Sequence, residues 1–92
     1  MRSGKRSNKW FIAYFCSNGQ NCSRLGMVVS KRIMLKAVSR NYVKRMIREA
    51  FRQDVPATLS LDIVIQSRRP IDSGCAAEGR QALKDLLLAL RT

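Results

Sequence analysis

Hydrophobic and polar positions change period along this chain, and the changes divide it into five clear elements. Trp10 to Cys16 (WFIAYFC) is an aromatic, apolar run of strand length, too short for a helix. Ser17 to Ser23 is turn chemistry, and Asn18-Gly19 is a hairpin-type dipeptide. Arg24 to Ser30 (RLGMVVS) is read as the returning strand, and Lys31 to Lys36 as a basic connection. From Ala37 to about Gln53 the period becomes helical, with Val43, Met46, Ile47, Ala50 and Phe51 forming an apolar stripe. A loop broken by Pro56 follows. Leu61 to Gln66 (LDIVIQ) is a third strand, expected to be central because it is almost wholly apolar or β-branched. Ser67 to Gly74 is a loop carrying Arg68, Arg69 and Pro70. Cys75 to about Leu90 is a second amphipathic helix, with Ala82, Leu83, Leu86, Leu87 and Leu90 on its apolar side. Residues 1–9 are basic and polar, a flexible segment or an edge with an extra short N-terminal strand.

The order β-β-α-β-α over 92 residues predicts a single domain of the α+β class, a two-layer α/β sandwich with both helices on one sheet face. The second and third clear strands are joined through a helix, so they are candidates for parallel neighbours, by default with a right-handed crossover. The first strand is unusual. Trp10, Ile12 and Tyr14 alternate with Phe11, Ala13 and Phe15, so both of its faces are apolar. In a two-layer sandwich one of these faces needs a further cover or serves as a binding surface where aromatic rings stack on unpaired bases.

Charge sharpens this picture. The chain has 18 Lys+Arg against six Asp+Glu, a net charge of +12. Residues 1–52 hold thirteen basic groups and one acid, Glu49; residues 53–92 hold five of each. A lopsided excess of this kind is the footprint of a nucleic-acid-binding protein. The first helix carries most of its detail. Arg40, Lys44, Arg48 and Arg52 recur at i, i+4, and Asn41 and Arg45 form a second polar row beside them. Arginine offers phosphate a planar fork, lysine a point charge, and Asn41 can donate and accept at once. Lys31, Arg32, Lys36, Arg68 and Arg69 are expected to add accessory phosphate contacts.

Other functions find little support. There is no histidine, which removes the commonest general base and zinc ligand, and the acids are scattered. Asp62, within a strand, reads as structural rather than as a metal ligand. The polypeptide is therefore expected to be non-catalytic by itself and to bind no metal alone. Cys16, Cys22 and Cys75 are odd in number, lack CxxC spacing and read as reduced cytosolic thiols. No run reaches a membrane span and no signal-peptide core is present, so a cytoplasmic protein without a membrane partner is expected. Major-groove DNA recognition is disfavoured, because no short helix with helix-turn-helix spacing precedes residue 39. A non-enzymatic, ribosomal-type RNA-binding protein stays open.

The stretch Ala37 to Arg52, AVSRNYVKRMIREAFR, closely resembles the signature of the protein component of bacterial ribonuclease P. That pattern runs arginine-asparagine, two residues, lysine-arginine, two residues, arginine-glutamate, then phenylalanine-arginine. Arg24 to Arg32 resembles the family's strand and basic loop, and Leu61 to Ile65 with Arg68-Arg69-Pro70 its next strand and loop. The resemblance implies an RNA-binding subunit that assists a catalytic RNA in removing the 5′ leader of precursor tRNA, with Mg2+ held through that RNA. It implies that Arg40, Asn41, Lys44, Arg45 and Arg48, with Arg52, face the catalytic RNA. It also implies a leader cleft at Ile12, Tyr14 and Val28, and a left-handed βαβ crossover in place of the default. Family members usually begin with a helix that covers one side of the cleft. This chain starts after the corresponding position, so Ile12 and Tyr14 are expected to be more exposed, with self-association or weak leader binding as consequences.

Overall fold

The structure is a computed structural model that describes residues 3–20, 22–55, 60–71 and 74–90. Pro56 and Asp72 lie outside the described residues. The elements are β1 (Ser3–Ser7), β2 (Phe11–Ser17), β3 (Arg24–Val28), α1 (Ala37–Asp54), β4 (Leu61–Ser67) and α2 (Ala76–Ala89). The five expected elements all form, and the N-terminal segment adds the extra edge strand.

The four strands make one mixed sheet in the order β1-β2-β4-β3. β1 pairs antiparallel with β2 and β2 antiparallel with β4, while β3 lies parallel to β4. The α1 crossover thus joins parallel neighbours, and β4 is central as its apolar sequence requires. The expected hairpin between β2 and β3 does not form. Asn18-Gly19 does turn the chain, with Gly19 at φ 66°, a conformation that suits glycine. β4 is inserted between the two strands, so the turn reverses direction without making them partners.

The core lies between the sheet and the two helices. Phe11 and Ala13 of β2 and Leu61, Ile63 and Ile65 of β4 bury one sheet face against Val43, Met46, Ile47 and Ala50 of α1 and Leu83, Leu86, Leu87 and Leu90 of or just beyond α2. Period 2 in the strands and period 3.6 in the helices converge on this layer. Trp10 is an exception to the expected alternation. It precedes β2 and packs partly against this core instead of sharing the face of Ile12 and Tyr14.

Asn8 ties the N-terminal strand down. Its Oδ1 accepts from the backbone N–H groups of Trp10 and Phe11, both at 2.9 Å, and its Nδ2 donates to the Ala82 carbonyl of α2 at 3.0 Å. One short side chain therefore shapes the β1–β2 turn and fastens it to a helix 74 residues away. Sequence periodicity gives no sign of this, since an asparagine between two strands signals only a turn.

Candidate nucleic-acid interface

The sheet face away from the helices is open to solvent. In strand register, Lys5, Tyr14, Val64 and Gly26 form one row across it, and Ser7, Ile12, Gln66 and Val28 the next. Tyr14, Val64 and Val28 are 41%, 37% and 46% exposed, and Ile12 is half-buried. Ile12, Tyr14 and Val28 thus lie on one surface, together with Val64, which sequence reasoning missed. The alternation of LDIVIQ puts Val64 opposite the core, but only the sheet order places it between Tyr14 and β3. Gly26 keeps this surface low: a Cβ there would stand 3.3 Å from Val64 Cγ2. The result is a shallow apolar trough with one aromatic wall.

One end of the trough is closed by an ion pair in the third row. Arg24 Nε and Nη2 donate to the two oxygens of Asp62, each at 2.7 Å, and Asn18 Nδ2 donates to Asp62 Oδ1 at 3.0 Å. These hydrogen bonds hold the Asp62 carboxyl below its usual range, and the same pairing raises Arg24. Asp62 is structural, as its sequence context suggests.

The other end is basic. β3 and β4 are parallel, so the residues after them emerge at the same end of the sheet. Lys31 and Arg32 are exposed in the turn after β3, where the Ser30 hydroxyl accepts from the Arg32 N–H at 3.0 Å. Arg68 and Arg69 are exposed after β4, and Arg68 Nη1 donates to the Asn8 carbonyl at 2.6 Å. Lys36 is the extended residue that precedes α1, and no acid occupies the first turn of that helix. Positive charge therefore meets the positive end of the helix dipole without local compensation, an arrangement that favours an external anion.

On α1, Arg40 and Lys44 are half-buried, while Asn41, Arg45, Arg48 and Arg52 are exposed. At 100° per residue, Arg40 and Lys44 flank the buried stripe on the side opposite Tyr42 and Glu49, which face α2. α1 also contacts β3, and α2 contacts β2. The Arg40–Lys44 flank therefore runs along the β3 edge, beside the trough rim at Val28. Arg40 is partly committed within the protein. Its Nη1 donates to the carbonyls of Met34 and Leu35 at 3.0 and 2.9 Å. Arg52 Nη2 donates to Glu49 Oε2 at 2.7 Å, so the lone acid of the basic half is matched. Lys44, Arg45 and Arg48 form no ion pair among the described residues.

Among the described residues no three His, Cys, Asp or Glu side chains gather into a group that could hold a metal ion. Among the described residues, Cys16, Cys22 and Cys75 form no disulfide. No helix among the described residues is long and apolar enough to cross a membrane.

A mixed sheet with an apolar trough on its free face and a cationic helix along its edge defines a small nucleic-acid-binding α+β sandwich. The model of the Ribonuclease P family matches residues 1–91. The ribonuclease P protein component of Chromobacterium violaceum is 35% identical over 86 residues, covering 94% of this chain and 71% of that one. Among solved structures, the ribonuclease P protein of Staphylococcus aureus superposes with a TM-score of 0.77 at 30% identity, over 92% of this chain and 78% of that chain. That of Thermotoga maritima gives 0.72 at 31%, over 95% and 83%. Alignments with curated relatives cover between 42% and 79% of their lengths. The chain belongs to the ribonuclease P protein family, the RNA-binding protein component of that endoribonuclease, and its implied partner is the ribonuclease P RNA.

Proposed function

We propose that this chain binds the catalytic RNA of ribonuclease P through the outer face of α1 and the basic end of the sheet, while the open trough holds the single-stranded 5′ leader of precursor tRNA. The observation that supports this reading is adjacency: the Arg40–Lys44 flank of α1 borders the same β3 edge that carries Val28. An RNA held on the helix thus delivers its substrate strand beside the trough.

The chemistry of each part suits its partner. Lys44, Arg45 and Arg48 are uncompensated forks and point charges for structured RNA phosphates. Asn41 adds a neutral donor and acceptor for a base edge or a 2′-OH. Tyr14 offers a ring face to an unpaired base, and Ile12, Val28 and Val64 offer apolar contact. Arg40 is assigned a mixed role, stapling the loop before α1 with one nitrogen and presenting the rest of its fork outward.

The bond-breaking chemistry, with its Mg2+, is assigned to the RNA subunit. The protein contributes charge neutralisation and substrate positioning, which act by holding reactants in geometry. The setting is cytoplasmic, where precursor tRNA is met. The test is cleavage of precursor tRNA by the cognate catalytic RNA at low magnesium, with and without this chain. Stimulation that grows with leader length over the first few nucleotides is expected. A folded sample that gives no stimulation contradicts the proposal and leaves a purely structural RNA-binding role.

A further inference from the structure

The basic half of the sequence ends at Arg52, yet the fold does not keep its charge separate from the rest. Between α1 and α2 lies an open groove of about 530 Å³, floored by Met46 and Ala50. Its lips bring Tyr42 and Arg45 of α1 together with Arg80 and Lys84 of α2. Arg80 Nη2 donates to the Tyr42 hydroxyl at 3.1 Å, which ties the α2 guanidinium to the edge of the α1 cationic face. Lys84 follows one helical turn later on the same side of α2.

The acids nearby offset part of this charge and leave the groove net positive. Glu49 lines the groove but accepts from Arg52, and Asp85 accepts from Gln81 Nε2 at 2.9 Å. Asp54 is the remaining acid of the lining. Three cations face the groove against two acids, one of them matched from outside by Arg52. An aromatic ring, 38% exposed, stands among them. Guanidinium, ammonium and an aromatic face around an open groove form a combination suited to a phosphodiester backbone with a splayed base.

We propose that this inter-helix groove is a second RNA contact surface, which grips a segment of the catalytic RNA through Arg45, Arg80 and Lys84 with Tyr42 as a stacking platform. The RNA footprint then continues from α1 across to α2, on the opposite side of α1 from the Arg40–Lys44 flank and away from the leader trough. The inference rests on the proposed ribonuclease P role and extends it to residues from the charge-neutral half of the chain.

The test measures binding of the full chain to the cognate catalytic RNA without substrate and, in parallel, the affinity of the assembled complex for precursor tRNA. Arg80→Ala/Lys84→Ala is compared with the unaltered chain and with Arg6→Ala/Lys9→Ala, which removes the same charge elsewhere. The groove variant is expected to bind roughly tenfold more weakly. Its dependence of log K on log salt is expected to flatten by about 2, one per lost phosphate contact. Arg80→Lys/Lys84→Arg is expected to restore most of the affinity, and Tyr42→Ala, which removes the ring, to give an intermediate loss. Thermal melting confirms that each variant is folded. Equal weakening by the groove and control variants overturns the inference while leaving the proposed role intact. A loss seen only in precursor tRNA affinity of the assembled complex also overturns it, because the groove then belongs to substrate. Failure of the unaltered chain to bind the catalytic RNA overturns both.

Discussion

At the scale of single residues, the basic side chains divide by what they already hold. Lys44, Arg45 and Arg48 are unmatched by acids among the described residues, whereas Arg24, Arg40, Arg52 and Arg68 each have a partner within the protein. Arg40→Ala removes two hydrogen bonds from an ionised donor to the carbonyls of Met34 and Leu35. It is expected to cost about 1–3 kcal/mol in chemical denaturation and to speed amide exchange in the Lys31–Lys36 loop. Arg48→Ala is expected to leave stability unchanged and to weaken catalytic RNA binding with a flatter salt dependence. Asp62 supplies a pH test. Its folded pKa is lowered by the hydrogen bonds from Arg24 and Asn18, so its contribution is complete above the unfolded pKa of about 3.9 and is lost as pH falls through the folded value. Stability curves of the chain and of Asp62→Asn should therefore be separate near pH 6 and converge in strong acid.

At the scale of elements, the trough is a property of three strands and exists only once β4 lies between β2 and β3. Gly26→Val tests it. The added side chain would crowd Val64 and raise the trough floor, since even a Cβ stands 3.3 Å from Val64 Cγ2. Weaker dependence of precursor tRNA affinity on leader length is expected, with catalytic RNA binding unchanged. The elements themselves were largely legible. The stripe from Val43 to Phe51 and the run from Leu61 to Gln66 announce α1 and β4, because burial on one face imposes the period. The neighbours were less so. Asn18-Gly19 specifies that the chain turns, but its local chemistry carries no information on which later strand slips in beside β2. β1 has no apolar alternation at all: SGKRS is held by backbone pairing with β2 and by the Asn8 turn, and neither leaves a hydrophobic signature.

At the scale of the whole molecule, Lys31, Arg32, Arg68 and Arg69 stand exposed around one end of the sheet, and Arg45, Arg48 and Arg52 stand exposed on α1, within a chain whose net charge is +12. The basic row was legible because charge and helical period coincide in SRNYVKRMIREAFR. The contribution of Arg80 and Lys84 was not, because summing charge along the chain cannot show that two helices from different halves share a groove. If about 6–10 phosphates are neutralised, affinity for the catalytic RNA should fall by roughly 10³–10⁵ between 50 and 200 mM salt, with duplex-like behaviour setting the upper slope. The open sheet face also invites contact between copies, since Tyr14, Val64 and Val28 are exposed together.

The central claim is that one small protein joins a catalytic RNA to the leader of its substrate. It is tested most directly by single-turnover cleavage of precursor tRNA at low magnesium, with leaders lengthened one nucleotide at a time, using the chain and its Tyr14→Ala variant. The account predicts stimulation by both proteins, with a gain from each early leader nucleotide that shrinks in the variant. Stimulation independent of leader length, or identical length dependence with and without the Tyr14 ring, would contradict it.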